Sequence, residues 1–300
     1  MSGTAVHGVL VLDKAAGLSS QAAVSRVRRA LGAAKAGHCG TLDPMATGVL
    51  PILLGRATIF SDYFLEKDKR YLAEVRLGVE TDTYDLTGTV VRTAAVPALS
   101  DGALEEALLP FRGEILQRPP LYSALKRGGR KLCDVARAGG TVEIEPRPVT
   151  VYALECVRRT ADTLTLSVHC GKGTYIRSLA HDLGAALGCG AALAALRRTA
   201  AGPFEEGMAL PEAAVRREAV LPVDECLRNF PRLECESYYL RLVKNGLAVA
   251  QWKLGVELAP GETARLYERG RFLGLCAGLL SEGEPALKLT RHYGVAEVEG

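Results

Sequence analysis

Two stretches with apolar residues at every second position constrain the fold of this chain most. The first is YLAEVRL at residues 71–77, and the second is LTLSVHC at residues 164–170. This period is typical of half-buried β-strands. A short apolar run, VLVL at residues 9–12, predicts a further, buried strand. The chain is therefore expected to build a β-sheet.

Helical periodicity predicts two helices beside these strands. Ser19 or Ser20 can cap the first helix, in which apolar residues recur at positions 24, 27 and 31 before Gly32 ends it. The second has apolar residues at positions 176, 179, 183 and 187, and Thr174 is expected to open it after a turn at 171–173. The glycine-rich stretch 37–51 after the first helix is predicted to be a loop.

The end of the chain has a different pattern. Beyond Pro231 the helical periodicity fades, and short strand-like runs are separated by Gly, Asn and Pro. These runs lie at residues 248–252, 263–267, 272–280 and 286–289. The change predicts a small, mostly β C-terminal domain.

Length and composition exclude several classes of protein. A chain of 300 residues is long enough for about two domains. No apolar run approaches the roughly 18 residues of a membrane span, and MSGTAVHG lacks the features of a signal peptide, so a cytoplasmic location is expected. Eight cysteines without a C-x-x-C pair indicate neither a disulfide framework nor a zinc site. The stretch GKGT at 171–174 lacks P-loop spacing, so it does not predict a site for a nucleotide phosphate. Neither a metal nor a cofactor is expected for this chain.

Positive charge is concentrated in two segments, although the net charge is only +3. Residues 14–56 contain six basic residues against Asp43 alone, and residues 118–137 contain six against Asp134 alone. Such clusters are typical of proteins that bind a phosphate backbone, and a solvated face is the alternative for either one. The second cluster overlaps KRGGRKLCDVARAGGTVEIEPRP at 126–148, whose paired glycines and terminal prolines predict an exposed arm.

Four longer stretches carry a resemblance to a known family. They are GHCGTLDPMATGVLPILLGRATI (37–59), KRYLAEVRLGVETDTYDLTG (69–88), QRPPLYSALKRGGRKLCDVARAG (117–139) and CGKGTYIRSLAHDLGAALGCGAALAALRRTAAGPF (170–204). In order and spacing they resemble successive motifs of the bacterial TruB family, the tRNA pseudouridine-55 synthases. With GVLVLDKAAGLSS near the start, the resemblance extends over about residues 8–230. The C-terminal part resembles PUA-type RNA-binding domains more weakly.

The resemblance implies a fold and a set of partners. The fold is α+β, with a pseudouridine synthase catalytic domain at residues 1–230 around a mixed, mainly antiparallel sheet. A basic, thumb-like insertion is expected at about 120–148, and a mostly β, PUA-like RNA-binding domain at 231–300. The expected partner is the T-arm stem-loop of tRNA, with no membrane, metal or guide RNA, and the chain is expected to be a monomer.

Pseudouridine formation gives a chemical role to Asp43, the only acidic residue within 37–51. The reaction breaks the C1′–N1 bond of uridine, turns the base, joins C5 to C1′ and releases the C5 proton without a cofactor. A carboxylate can add to C1′ or stabilise positive charge there, as in glycoside hydrolysis. Taken alone, an aspartate before a proline would fit a turn. By resemblance Asp43 is the catalytic aspartate, Arg177 of GTYIR pairs with it, and Asp85 holds that arginine.

The resemblance also assigns roles to further residues. Tyr71, which alone would fit strand packing, would stack on the target base and act as general base, which makes it catalytic. Tyr175 and Leu196 would contact the nucleotide, and His38 would fill the space left by the flipped uridine. Lys14 would support the active-site loop or the RNA backbone. Four residues of the arm would hold the RNA backbone, namely Lys126, Arg127, Arg130 and Lys131.

Two other functions stay open from the sequence. One is a guide-dependent RNA pseudouridine synthase of the related archaeal and eukaryotic branch, which the short chain and its own basic arm disfavour. The other is a non-catalytic RNA-binding protein or RNA-folding chaperone. Intact Asp43, Tyr71 and Arg177 disfavour that as the sole role. The T-arm uridine is implied by the resemblance alone.

Overall fold

A computed structural model of the chain describes residues 5–122, 126–127, 130–131 and 144–294, and at 126–127 and 130–131 it describes the backbone. The strands are β1 (Gly8–Lys14), β2 (Ala36–His38), β3 (Thr47–Leu54), β4 (Lys69–Leu77), β5 (Val79–Thr81), β6 (Val90–Thr93), β7 (Gly113–Gln117), β8 (Lys126–Arg127), β9 (Arg130–Lys131), β10 (Arg147–Arg159), β11 (Thr163–Cys170), β12 (Ala191–Ala201), β13 (Phe204–Glu205), β14 (Arg232–Glu234), β15 (Val249–Ala250), β16 (Thr263–Glu268), β17 (Arg271–Ser281) and β18 (Glu284–His292). The α-helices are α1 (Ser20–Leu31), α2 (Ser61–Leu65), α3 (Asp101–Leu108), α4 (Ile176–Ala186), α5 (Leu240–Lys244) and α6 (Gln251–Leu254). In this part of the chain, every helix is too short or too polar to cross a lipid bilayer.

A nine-stranded sheet forms the centre of the described structure. Its strand order is β1-β3-β12-β4-β11-β10-β7, with β2 added to β3 and β13 added to β12. The β3–β12 pair is parallel, and the other pairs are antiparallel. With the helices placed between these strands, the sheet confirms the predicted α+β class and the mixed, mainly antiparallel arrangement.

The predicted central strands are confirmed. The two alternating stretches form β4 and β11, which pair antiparallel with Tyr71 opposite Val168. Ala73 and Val75 of β4 are buried in the main hydrophobic core, because every second side chain of the strand points to the same face. The run 9–12 lies in β1 at the edge of the same sheet.

The first predicted helix has the caps expected from its sequence. The Ser19 hydroxyl oxygen accepts a hydrogen bond from the Ala22 N–H at 3.2 Å, and Gly32 ends the helix with φ 65°. The prediction that Thr174 opens α4 is wrong. Tyr175 flanks the first turn with an extended backbone and without a side-chain cap bond. The Thr174 hydroxyl instead donates to the Gly171 carbonyl at 3.1 Å, so the preceding turn uses it.

The glycine-rich loop is shorter than predicted. β2 ends at His38 and β3 begins at Thr47, so the loop covers residues 39–46. Gly48 follows with φ +99°, and a Cβ there would lie 2.3 Å from the Arg198 carbonyl oxygen. Glycine is needed because β12 approaches β3 closely at this point. The end of the loop that carries Asp43 is thereby held close to β12.

A second sheet near the C-terminus has the order β14-β16-β17-β18-β15 and its own core around Leu266, Cys276 and Leu287. Three predicted strands form β16, β17 and β18, but the run 248–252 is strand only at 249–250. There the buried Gln251 amide exchanges two hydrogen bonds with the Leu258 backbone, which fixes a helical turn instead. The domain boundary near 230 and the PUA-like character stay predictions.

Candidate active site

A cavity of about 530 Å³ opens beside the loop 39–46 and the start of α4. This volume falls in the range of small-molecule and nucleotide sites. Five of the predicted site residues line it, namely Asp43, Tyr71, Tyr175, Arg177 and Leu196. They come from a loop, from two adjacent strands, β4 and β12, and from the beginning of α4, so the fold brings together residues that are far apart in the chain.

Asp43 and Arg177 form an ion pair at the cavity. Arg177 Nε lies 2.9 Å from Asp43 Oδ2, and the arginine side chain is 7% exposed while the aspartate is 36% exposed. The Nε–H has no hydrogen-bond partner of good geometry within the described chain. The contact is therefore a charge pair without a well-directed hydrogen bond, and it leaves the carboxylate open to the cavity.

Further contacts hold Arg177 in place. Its Nη1 donates to the Thr83 carbonyl at 3.0 Å, and its Nη2 donates to the Tyr122 carbonyl at 2.9 Å. Asp85 Oδ2 lies 3.6 Å from Nη1. Asp85 is itself held, because its Oδ1 accepts from the Thr87 N–H and from the Thr83 hydroxyl, each at 3.0 Å. Asp85 is thus placed to support the arginine rather than to face the cavity.

Lys14 lies beneath the loop that carries Asp43. Its ammonium is buried and donates to the carbonyls of Leu18 at 2.7 Å, Ala15 at 2.9 Å and Pro44 at 3.3 Å. Burial lowers the pKa of Lys14, and the charge of Asp43 opposes that shift. Of the two predicted roles, this position fits support of the loop, because a buried ammonium cannot reach an RNA backbone.

Tyr71 and Leu196 form adjacent parts of the cavity wall on β4 and β12. Tyr71 is half-buried, and burial raises the pKa of its phenol, while the charge of Arg198 lowers it. Tyr175 is fixed by Gln117, whose amide accepts from the Tyr175 N–H at 2.7 Å and donates to its carbonyl at 3.0 Å. An aromatic face and an apolar side chain therefore border the carboxylate.

The remaining predicted residues lie outside this group. His38 is on β2 opposite Ile52 and is not among the residues that line the described cavity. Burial, followed by the charge of Arg198, lowers the pKa of His38. In the arm, the backbone of 126–127 pairs antiparallel with that of 130–131. The side chains of Lys126, Arg127, Arg130 and Lys131, and most of the predicted insertion, lie outside the described residues, so their role stays a prediction.

Three buried polar residues of the cavity were missed by the sequence reasoning. They are Gln117, Lys69 and Arg198. For Arg198 a signal was available, since two consecutive arginines in an alternating strand must point to opposite faces. Gln117 and Lys69 carry no comparable local signal.

The arrangement supports chemistry by a carboxylate beside an aromatic surface. Asp43 is accessible at the cavity and has a fixed cation behind it. Tyr71 offers both a ring for stacking and a hydroxyl. In the described part of the chain, no group of three or more His, Cys, Asp or Glu side chains is arranged to hold a metal ion.

Comparisons with known proteins agree on one family. Residues 28–176 match the model of the TruB family pseudouridylate synthase N-terminal domain, and residues 177–228 match the tRNA pseudouridylate synthase B C-terminal domain. The chain is 49% identical over 280 residues to tRNA pseudouridine synthase B of Chromohalobacter salexigens, covering 91% of each. It is 47% identical over 277 residues to the protein of the same name from Aromatoleum aromaticum, covering 90% of this chain and 88% of that one.

A solved structure has the same fold. One chain in the crystal structure of a Cbf5-Nop10-Gar1 complex superposes with a TM-score of 0.72 and 26% sequence identity. The match covers 96% of the present chain and 85% of that chain.

Proposed function

The chain belongs to the TruB family of pseudouridylate synthases and isomerises uridine in tRNA to pseudouridine, and we propose that Asp43 attacks the uridine at position 55 in the T-arm. The observation that carries the proposal is the Asp43–Arg177 pair at the edge of a cavity walled by Tyr71. The cavity is large enough for one nucleoside that has been flipped out of the T-arm loop.

The geometry suits each step of the isomerisation. Flipped uridine stacks on Tyr71 with C1′ towards Asp43, and the C1′–N1 bond breaks with its electron pair going to the base. Asp43 takes up the positive charge at C1′, either by a covalent bond or as an ion pair. The base then turns, C5 bonds to C1′, and the C5 proton leaves. Arg177 keeps the carboxylate in position throughout.

The proposal includes action without a guide RNA and a cytoplasmic location. The chain carries its own basic arm at about 120–148, which can bind the tRNA without a guide. His38 would occupy the position of the flipped base, and Tyr175 and Leu196 would contact the nucleotide. A monomer suffices, since all these side chains come from one chain.

The test uses purified protein and an unmodified tRNA transcript labelled with tritium at uridine C5. Tritium release is expected without guide RNA, metal or nucleotide, because bond cleavage and proton loss need only protein groups. A transcript with cytidine at position 55 serves as the control and should release no tritium. Release only after a guide RNA is added would favour the guide-dependent alternative. Tight tRNA binding without release would favour the RNA-binding or chaperone role.

We include an RNA-contacting surface of the C-terminal region, formed by a turn and a short helix beside the second sheet, in the proposal. Tyr238 and Trp252 are 68% and 72% exposed. The Arg241 guanidinium lies 4.1 Å above the Tyr238 ring, and the Lys253 ammonium lies 5.1 Å from the Trp252 ring. Exposed aromatic rings beside cations are typical of surfaces that bind nucleotides. This pattern supports the RNA-binding role expected of the region.

One salt titration of tRNA affinity tests both RNA surfaces. Replacing Lys126, Arg127, Arg130 and Lys131 with alanine should flatten the log–log salt dependence by up to about 3 to 4 units, because each phosphate contact releases counterions. Trp252→Ala should weaken binding about tenfold and leave the slope unchanged, because stacking is uncharged. The rate at saturating RNA should stay near wild type for both variants. An unchanged salt slope in the fourfold alanine variant would mean that the arm is a solvated face that does not contact RNA. Unchanged affinity in Trp252→Ala would mean the same for the C-terminal surface.

A further inference from the structure

Two consecutive arginines of β12 have opposite environments. Arg197 is partly exposed, and its guanidinium pairs with Asp13 at 3.0 Å and with Glu206. Arg198 is 1% exposed and points to the interior. Its Nε donates to the Val49 carbonyl at 2.7 Å and its Nη2 to the Gly40 carbonyl at 3.1 Å. The two residues are a matched pair, one on the surface and one beneath the cavity.

The charge of Arg198 is not balanced by an acidic side chain. In the described part of the chain it makes no ion pair with a carboxylate, although burying a charge without a counterion is costly. Lys69 is also buried, and its ammonium donates to the carbonyls of Leu65 at 2.6 Å and of Lys67. A Cβ on Gly40 would lie 3.4 Å from Arg198 Nη1 and 3.7 Å from Lys69 Cε. Two cations therefore lie directly beneath the loop that carries Asp43.

Arg198 also reaches Tyr71. The two residues are directly opposite on the antiparallel strands β12 and β4, so their side chains share a face of the sheet. Burial raises the pKa of the phenol, and the positive charge of Arg198 opposes that shift. One buried cation therefore lies opposite the aromatic wall of the cavity and is hydrogen-bonded to the loop of the carboxylate.

We propose that Arg198 is a positioning residue for the isomerisation, which holds the loop of Asp43 through the Gly40 carbonyl and places a positive charge beneath the uracil. The inference rests on the proposed function. When the C1′–N1 bond breaks, the electron pair moves to the base and produces a uracil anion, while Asp43 takes up the positive charge at C1′. The anion is consumed when C5 bonds to C1′. Arg198 supplies a fixed positive field where negative charge develops, which lowers the barrier without reorganisation.

Single-turnover rates of Arg198→Met, Arg198→Lys and the matched control Arg197→Met test this role. Arg198→Met should lower the rate by about 10²-fold, as removal of one preorganised charge-stabilising donor does. Arg198→Lys keeps the charge and should recover part of that loss. Arg197→Met should stay within about threefold of wild type, because its guanidinium lies on the other face of β12. Circular dichroism checks that each variant is folded.

A second substrate separates charge stabilisation from simple structural damage. In 5-fluorouridine the electron-withdrawing fluorine makes the departing base a better anion. Conversion is followed by chromatography of nuclease digests as loss of the target nucleoside, since fluorine blocks proton release at C5. The factor by which Arg198→Met lowers the single-turnover rate should be about tenfold smaller on the fluorinated RNA. Equal penalties on the two RNAs would overturn the inference.

The outcome stays decisive if Arg198→Met does not fold. The rate losses on the two RNAs are then compared for Arg198→Lys, whose compact ammonium lacks the planar, branched guanidinium that bonds the Val49 and Gly40 carbonyls. A penalty that shrinks on the fluorinated RNA supports the inference, and a penalty that is equal on both, or absent, contradicts it. If wild-type protein converts no uridine in the tritium assay, the proposed function itself fails, which is a distinct result.

Discussion

Replacing Asp43 by asparagine is expected to abolish turnover while the protein still binds tRNA. The substitution keeps the shape of the side chain and removes its charge, so nothing at the cavity can add to C1′ or balance positive charge there. Removing such a group typically lowers kcat by about 10⁴-fold or more. Affinity for tRNA should stay within about tenfold, or about 1.4 kcal/mol, because phosphate contacts supply most of the binding.

The structure allows this variant to fold. Without the Asp43 charge, Arg177 keeps its hydrogen bonds to the carbonyls of Thr83 and Tyr122 and its proximity to Asp85. The matched control is Asp62→Asn, the same change at an exposed position of α2, which should leave the rate within about twofold. Tritium release measures the rate, and filter binding measures the affinity. Multiple turnover by Asp43→Asn would refute the role of the carboxylate.

Local sequence patterns predicted those elements whose geometry depends on local periodicity. The alternation at 71–77 and 164–170 became β4 and β11, because a strand points every second side chain to the same face. Helix α1 begins after Ser19 and ends at Gly32 as expected, because a side-chain cap and a positive φ act within one turn. In these cases the physical cause lies within a few residues of the pattern.

Predictions failed where a distant or competing partner decides the outcome. Thr174 has the chemistry of a helix cap, but its hydroxyl is used by the turn before it. The strand-like run at 248–252 ends early, because the Gln251 amide bonds to the Leu258 backbone. Neither partner can be recognised from the residues that surround the pattern.

The buried cations show the same limit at the site. Charged residues are normally exposed, and Arg198 and Lys69 are buried because backbone carbonyls from other elements accept their hydrogen bonds. The approach of Arg177 to Asp43 followed from the family resemblance, since no periodicity relates residues so far apart in the chain. The sequence thus indicated the groups that we propose to react, while the charges that surround them required the folded structure.

Tyr71→Phe is expected to lower the single-turnover rate by at least about 10²-fold if the phenol accepts the C5 proton, the lower range for general acid–base catalysis. The ring and most of its stacking remain, so RNA affinity should stay near wild type. Tyr71→Leu removes both the ring and the hydroxyl, and should weaken binding as well. The matched control is Tyr152→Phe, the same change at a tyrosine of β10 that is 58% exposed, and it should have no effect.

The pH dependence of the wild-type rate distinguishes a phenolate base from a stacking ring. Because burial raises the pKa of Tyr71, the phenolate is a minor species at neutral pH, and its fraction grows as pH rises towards that pKa. If the phenolate accepts the proton, quenched-flow tritium release should accelerate about tenfold per pH unit over this range, and Tyr71→Phe should lose the rise. A Phe variant within fivefold of wild type at every pH would leave Tyr71 a stacking role only. Asp43 or water would then be the proton acceptor, because the Asp43 carboxylate lines the same cavity as Tyr71.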